Sequence, residues 1–294
     1  MKIVFIGTVE FSRKMLEKLI ELKAEIVGVC TKKTSMFNND YEDLEPLCKY
    51  NQIPIRFTND INSQASYNWI KSLRPDVIFC LGWSSLLKKN ILSLAPMGVL
   101  GFHPTKLPYN RGRHPLIWTL ILELKKSATT FFFMNQGADS GDIVSQREFE
   151  ISINDDARDL YDKVVNNSLK QLEEIFPKLK NKTFETTKQN HELANTWRKR
   201  NKIDGKIDFR MTSKAIYNLV KALSEPYIGA HIEFKEKEIK VWKVKIIKTK
   251  KENNIESGKV LDVNNRNILV KTYDGCIEIV NHEFNELPNI GDYL

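Results

Sequence analysis

The sequence predicts an α/β protein in which a mostly parallel sheet, with helices on both faces, precedes a small C-terminal OB-like β-barrel. Short apolar runs alternate with helical patterns over the first half of the chain, and strands that alternate with helices pair in parallel. A polar, lysine-rich stretch follows at 181–206. Beyond it, short β-rich runs are separated by turns at the spacing typical of small barrels.

The elements of the first half follow from hydrophobic periodicity. Phe11, Met15, Leu16 and Leu19 have helical spacing and predict a helix after the first strand. Further helices are predicted at 67–73, where the breaker Pro75 follows, and at 159–176. The predicted strands are 3–6, 24–30, 76–80, 98–102 and 129–134.

The second half begins after a linker, which we predict from the polar composition of 181–206. Ser213 is the expected cap of a helix with apolar residues at helical spacing, and Pro226 ends it. The β-rich runs are 230–234, 239–244, 258–261, 268–271 and 276–280. We therefore predict two domains, 1–202 and 203–294, of which the second is OB-like.

Charge restricts the partners only in part. The chain has 294 residues and a formal net charge of +8, which favours an anionic partner such as RNA or a nucleotide diphosphate. The lysines are scattered, however, and the denser basic tracts, 197–202 and 235–251, also fit solvated charged faces. No apolar segment has the length of a membrane span, and the run at 3–6 is too short for a secretory signal.

Cysteine and glycine patterns argue against common cofactors. The four cysteines lack metal-site spacing, so we expect reduced, packed thiols in a cytoplasmic protein and no metal. Gly7 is the one glycine in the loop after the first strand. A dinucleotide fingerprint is therefore missing, and no NAD site is predicted.

Two loops contain the candidate catalytic residues. His103 directly follows the strand 98–102, in a loop stiffened by prolines, and Asp139 follows the strand 129–134 in a glycine-rich loop. A histidine and a carboxylate in loops at the carboxyl edge of a parallel sheet suit a general base and the acid that orients it. Taken singly, His103 also fits a hydrogen-bonded structural histidine, and Asp139 fits a turn-forming residue. Together the two loops predict a site.

These loops resemble the signature of the formyltetrahydrofolate-dependent formyltransferases, a family that contains methionyl-tRNA, phosphoribosylglycinamide and sugar N-formyltransferases. The resemblance covers most of the chain and is carried by Leu107-Pro108 and Arg111-Gly112 in the histidine loop and by the loop 137–142. It implies a Rossmann-like domain with a small C-terminal barrel. It further implies that His103 is the acid/base and that Asp139 orients it.

The resemblance also implies 10-formyltetrahydrofolate as co-substrate, without a metal. An amine that attacks the formyl carbon must lose a proton, and histidine can take that proton near neutral pH. A carboxylate beside the ring stabilises the imidazolium. The residues implied to contact the folate are Ser85, Leu86, Leu87, Thr105, Leu107, Pro108, Arg113, Asn135, Gln136, Gly137, Ala138 and Asp139.

One position departs from the family. Gly101 stands where the family has an asparagine that donates to the oxyanion, and loss of one such donor costs roughly 3–4 kcal/mol in other enzymes. Another donor, such as Ser84, Ser85, a backbone N–H or protonated His103, can replace it. Alternatively, a water fills the space, or the protein binds folate without turnover. We favour the first alternative, because His103 and Asp139 are intact.

The acceptor is predicted from the rest of the chain. The stretches 111–118 and 221–230 resemble sugar formyltransferases more than the tRNA enzymes, although Trp118 and Tyr227 within them also fit core packing. We expect a nucleotide-linked amino sugar, whose phosphates Arg111, Arg113 or a lysine could meet. Methionyl-tRNA is the alternative acceptor, and a non-catalytic folate-binding protein is the alternative from another class. The oligomeric state stays open.

Overall fold

The computed structural model describes residues 1–34, 40–248 and 254–294. The end of the basic tract 235–251 therefore lies outside the described residues. The chain divides into two compact units. The first consists of Met1–Pro115, Lys126–Glu150 and Asp162–Arg198, and the second of Leu116–Lys125, Ile151–Tyr161 and Lys199–Leu294. The domain boundary after residue 202 stays a prediction.

The first unit is built on a seven-stranded sheet with the order β3-β2-β1-β4-β5-β7-β8. The strands of this sheet are β1 (Lys2–Ile6), β2 (Glu25–Thr31), β3 (Ile55–Phe57), β4 (Val77–Cys80), β5 (Val99–His103), β7 (Lys126–Phe133) and β8 (Ile143–Glu150). A separate two-stranded sheet consists of β6 (Arg111–Gly112) and β9 (Thr196–Trp197). The strands β1 to β5 pair in parallel in the order 3-2-1-4-5, which is that of the first five strands of a Rossmann fold. The predicted mostly parallel sheet is confirmed.

Helices connect these strands. In the described part of residues 1–181 the α-helices are α1 (Glu10–Glu21), α2 (Glu45–Tyr50), α3 (Gln64–Ser72), α4 (Lys89–Leu92), α5 (Pro115–Ile121) and α6 (Ala157–Asn181). The sequence predicts α1, α3 and α6, whereas the shorter α2, α4 and α5 were not predicted. Helix α1 buries Phe11, Met15, Leu16 and Leu19, the four residues that predicted it. Strand β1 is almost wholly apolar and its last four residues are fully buried, as expected for a central strand with both faces covered.

Parallel pairing was the wrong expectation for the strand that precedes Asp139. Strand β7 runs antiparallel to β5, with Phe133 opposite Leu100 and Thr130 opposite His103. The carboxyl end of β7 therefore lies beside the first half of β5, and the loop after it must return along β5 to reach His103. Strand β8, antiparallel to β7 at the sheet edge, was not predicted, because its alternating residues are only half-buried.

The second unit contains helix α7 (Ser213–Leu223) and a five-stranded antiparallel sheet of the order β10-β11-β14-β13-β12. Its strands are β10 (Ala230–Phe234), β11 (Lys237–Ile247), β12 (Val260–Asn264), β13 (Asn267–Lys271) and β14 (Cys276–His282). All five predicted β-rich runs are thus strands or overlap one. Among the described residues β10 and β12 do not pair, so the predicted OB-like barrel is an open sheet there.

The cap of helix α7 differs from the prediction by one residue. Thr212 is the N-cap, and its hydroxyl accepts a hydrogen bond of 3.1 Å from the Ala215 amide. The hydroxyl of Ser213 bonds instead to that of Thr272 at 2.7 Å. Both residue types suit the cap, so the hydrogen bond of Ser213 to Thr272, just after β13, decides between them.

The described ranges contain no helix long and apolar enough to cross a membrane. The same ranges hold no cluster of three or more His, Cys, Asp or Glu side chains placed to hold a metal ion.

The four cysteines allow a test of the packing. All four are buried and outside any disulfide, and burial raises the pKa of the Cys30, Cys48 and Cys80 thiols to about 12. Below that pH the thiols stay protonated, and a protonated thiol is a poor nucleophile. We therefore expect Ellman's reagent at pH 8 to label the folded protein slowly and all four thiols at once in denaturant. Rapid labelling of the folded protein would contradict this packing.

Candidate active site

His103 ends strand β5 and is 5% exposed. Its Nε2 lies 2.8 Å from the backbone carbonyl oxygen of Asn110. A carbonyl oxygen can only accept, so Nε2 carries the hydrogen in this contact. In the neutral ring the lone pair is therefore on Nδ1, which becomes the atom that can take a proton.

Asp139 faces that nitrogen. Its Oδ2 lies 3.6 Å from His103 Nδ1 and accepts a hydrogen bond of 2.9 Å from the Gly112 amide. The structure thus brings together the two residues that the sequence predicts as catalytic. Protonation of Nδ1 would place an imidazolium beside a carboxylate, which stabilises the charged ring.

Backbone geometry in both loops serves this contact. Asp139 has a φ of 52°, in the left-handed region that few non-glycine residues adopt. Gly112 has a φ of 107°, and a Cβ there would lie 2.2 Å from the carbonyl oxygen of Trp197. A glycine is therefore required where the backbone approaches β9 and donates to the carboxylate.

The two arginines of the histidine loop make internal contacts. Arg111 is 9% exposed and donates to Gln189 Oε1 from Nε at 3.2 Å and from Nη2 at 2.6 Å. Burial lowers the pKa of Arg111, and the nearby charge of Asp139 opposes that shift. Arg113 donates to the Ser84 carbonyl at 2.6 Å and so joins the histidine loop to the loop after β4. Arg111 is thus held in the interior, and Arg113 is the more accessible of the two.

The residues implied to contact folate fall into three groups by exposure. Ser85, Leu86 and residues 135–138 are exposed, Leu86 with 64% of its surface. In contrast, Leu87, Thr105 and Leu107 are buried, so their side chains support the loops from inside. Pro108, which follows a cis peptide bond, Arg113 and Asp139 are partly exposed. Their roles toward folate stay predictions.

Position 101 has a structural explanation for its glycine. A Cβ on Gly101 would lie 2.6 Å from Met134 Cγ and 3.3 Å from Phe132 Cζ. Met134 therefore takes the space that a side chain at 101 would need. Its thioether has no hydrogen to donate, so it fills the volume of the family's amide without replacing the donor. Three alternatives were given above for the missing asparagine: another donor, a water in its place, or folate binding without turnover. The Met134 side chain argues against the water, because it fills the space.

Sequence reasoning missed three residues that hydrogen-bond to candidate site residues or their loops. Gln189 and Asn195 lie in the stretch expected to be a linker, yet Gln189 hydrogen-bonds to both loops and Asn195 to the histidine loop. Their isolated amides in a polar, lysine-rich stretch gave no periodic signal. Trp83, whose indole donates to Ser85 Oγ at 2.7 Å, lies three residues after the end of β4. Its place after a predicted buried strand was the one signal available for it.

A histidine–aspartate pair on a Rossmann-like sheet is typical of α/β enzymes that use acid–base chemistry. Residues 1–175 match the family model described as formyl transferase, and 199–289 match that of the formyl transferase C-terminal domain. The chain belongs to the formyl transferase family.

Relatives and solved structures differ in their acceptors. The chain is 30% identical to methionyl-tRNA formyltransferase of Clostridioides difficile strain 630, over 100% of this chain and 96% of the relative. The N-formyltransferase from Helicobacter canadensis, solved with folinic acid and dTDP-3-aminofucose, has a TM-score of 0.70 at 20% identity, covering 96% of this chain and 99% of that one. Methionyl-tRNA formyltransferase from Clostridium thermocellum has a TM-score of 0.61 at 18% identity, covering 95% and 99%.

The close approach of Met134 to Gly101 gives a prediction for stability. We expect Gly101→Asn to lower the free energy of unfolding by about 1–3 kcal/mol, the range for overpacking. Adding Met134→Ala should recover part of that loss, because it vacates the space that the asparagine needs. Urea denaturation of both single variants and the double variant checks this. Strictly additive losses would show that the two side chains do not compete.

Proposed function

We propose that this protein is an N-formyltransferase that moves the formyl group of 10-formyltetrahydrofolate to the amine of a nucleotide-linked amino sugar. The observation that carries the proposal is the His103–Asp139 pair, in which His103 Nδ1, the nitrogen that lacks a hydrogen in the neutral ring, lies 3.6 Å from a carboxylate oxygen. Membership of the formyl transferase family and the predicted cytoplasmic location agree with it.

Proton transfer is the task of this pair. The acceptor amine loses a proton as its nitrogen bonds to the formyl carbon, and Nδ1 of His103 takes that proton. Asp139 then holds the imidazolium in place, while the Gly112 amide holds Asp139. When the bond between the formyl carbon and N10 of the folate breaks, the imidazolium would return the proton to N10, so that tetrahydrofolate leaves and the ring is neutral again. General base catalysis of this kind contributes about 10²–10⁴ in rate.

The exposed residues beside the pair fit a folate. When bound, 10-formyltetrahydrofolate supplies the formyl group. Leu86 is an exposed apolar side chain after β4, suited to the flat face of a pterin, and the exposed backbone of 135–138 offers amide and carbonyl groups to its polar edge. With Met134 beside Gly101, oxyanion stabilisation falls to another donor, such as the Ser85 hydroxyl or protonated His103.

The acceptor is proposed from the contacts that the basic side chains make within the protein. In the tract 197–202 the Arg200 guanidinium lies 4.9 Å from the Trp118 ring centroid, and Lys202 contacts Glu238. Lys240 also contacts Glu238, at 2.7 Å. Cations paired internally attract a phosphate backbone less, which supports a small acceptor.

Methionyl-tRNA is the second candidate acceptor. The net charge of +8 and the 30% identity to a methionyl-tRNA formyltransferase favour it. A non-catalytic folate-binding protein is the third candidate, for which Gly101 is the support.

Substitution tests the catalytic pair. We expect His103→Ala and Asp139→Ala each to lower kcat at least 100-fold, because the general base or its partner is lost. Circular dichroism and the melting temperature should show that both variants stay folded. Formyl transfer at near-normal rates in either variant would refute the role of that residue.

An acceptor panel separates the three functions. Purified protein is given 10-formyltetrahydrofolate with nucleotide-linked amino sugars, and separately with methionyl-tRNA, while tetrahydrofolate release is followed. We expect release with an amino sugar and little change in rate between 50 and 200 mM salt, since few phosphates are bound. Release with tRNA alone would refute the sugar acceptor, and folate binding without release would favour the non-catalytic protein.

A further inference from the structure

The segment Thr187–Trp197, which we call the strap, crosses both catalytic loops. At its beginning, Thr187 and Ile143 exchange two backbone hydrogen bonds of 2.8 Å, beside the end of the aspartate loop. At its end, β9 pairs with β6 of the histidine loop. The strap therefore connects two loops that come from different strands of the sheet.

Gln189 in the strap joins the two loops through one side chain. It is 6% exposed. Its Nε2 donates to the carbonyl of Asp139 at 2.9 Å and to that of Gly141 at 2.7 Å. Its Oε1 accepts from Arg111 in the histidine loop. The same amide thus fixes the backbone of Asp139 and satisfies a buried guanidinium.

Asn195 in the strap fixes the residue that accepts from His103. Its Oδ1 accepts from the Asn110 amide at 2.9 Å, and its Nδ2 donates to Asn110 Oδ1 at 3.0 Å. Asn110 has a φ of 61°, a conformation that needs support from its surroundings. The carbonyl of Asn110 then receives the hydrogen of His103 Nε2.

We propose that the strap is the positioning element of the His103–Asp139 pair. Asn195 holds the Asn110 carbonyl that selects the tautomer of His103 with its lone pair on Nδ1. Gln189 holds Asp139 against that nitrogen. The catalytic use of this arrangement rests on the proposed function, whereas the tautomer itself does not.

The tautomer is measured by ¹⁵N NMR of ring-labelled histidine. Five histidines are present, and a His103→Asn spectrum identifies the signals of His103. At a pH where the ring is neutral, we expect protonated Nε2 and unprotonated Nδ1 in the unsubstituted protein. Asn195→Ala should shift both nitrogens toward the averaged values of a mixed tautomer, whereas Asn195→Asp, which keeps the oxygen facing the Asn110 amide, should shift them less.

Unchanged His103 signals in Asn195→Ala would overturn the role of Asn195. Asn195 is exposed, so its loss should leave the fold intact. A protonated Nδ1 in the unsubstituted protein would overturn the proposal as a whole. Neither NMR result depends on turnover, so a failure of this proposal can be distinguished from a failure of the proposed function.

Kinetics test Gln189. Gln189→Glu keeps an acceptor for Arg111 but cannot donate to the two carbonyls. Misplacement of a catalytic group by about 1 Å can lower the rate 10²-fold, so we expect kcat to fall roughly 10- to 100-fold.

Gln171→Glu is the matched control, since Gln171 is also buried and its amide donates to the Thr129 carbonyl at 3.2 Å and to Ser145 Oγ at 2.9 Å. This control should lower the melting temperature at least as much as Gln189→Glu while keeping kcat within about threefold. Should both variants lose kcat equally, or Gln189→Glu keep it, Gln189 has only a structural role. If no acceptor of the panel is formylated by the unsubstituted protein, the His103 spectrum of Gln189→Glu decides: a changed Nδ1 signal supports positioning, and an unchanged one refutes it.

Discussion

The hydrogen bond from His103 Nε2 to the Asn110 carbonyl is the interaction on which the site depends. A neutral imidazole has one hydrogen, and whichever nitrogen holds it is lost as a base. Because a backbone carbonyl accepts that hydrogen, the basic nitrogen is left toward Asp139. The position of Asn110 is fixed in turn by Asn195 and by its own left-handed conformation. Strand β5 thus positions His103, and the loop contacts determine which of its two ring nitrogens can accept a proton.

Burial of polar groups explains why these loops are held so firmly. An interior guanidinium or carboxylate is costly unless its hydrogen bonds are satisfied. The buried Arg111 guanidinium donates to Gln189, and the partly exposed Asp139 carboxylate accepts from the Gly112 amide. Each partner comes from a different segment, so these contacts also fix the segments relative to one another. Stability and the alignment of His103 with Asp139 therefore depend on the same hydrogen bonds.

Much of the fold and the central pair could be predicted, because their signals are local. Buried strands, amphipathic helices and glycine-rich loops appear as runs and spacings, which is why His103 and Asp139 could be identified. The direction of β7 could not, since an apolar strand has the same pattern in either orientation. Strand β8 could not be predicted because its residues are only half-buried, and the contacts of the strap could not because their partners are distant in sequence. The formyl acceptor is harder to predict than the fold, because solved structures that share this fold belong to formyltransferases with different acceptors.

The sequence by itself determined the family, most of the strands and longer helices, and the two residues that face each other in the site. Residue types and local spacing are enough for these, since helix and strand periods depend on near neighbours. Only the tertiary structure decided that Met134 covers Gly101, that Arg111 is held in the interior, and that Gln189 and Asn195 reach the catalytic loops. Those features depend on distances between segments tens of residues apart, which hydrogen bonding and packing fix after the chain has folded.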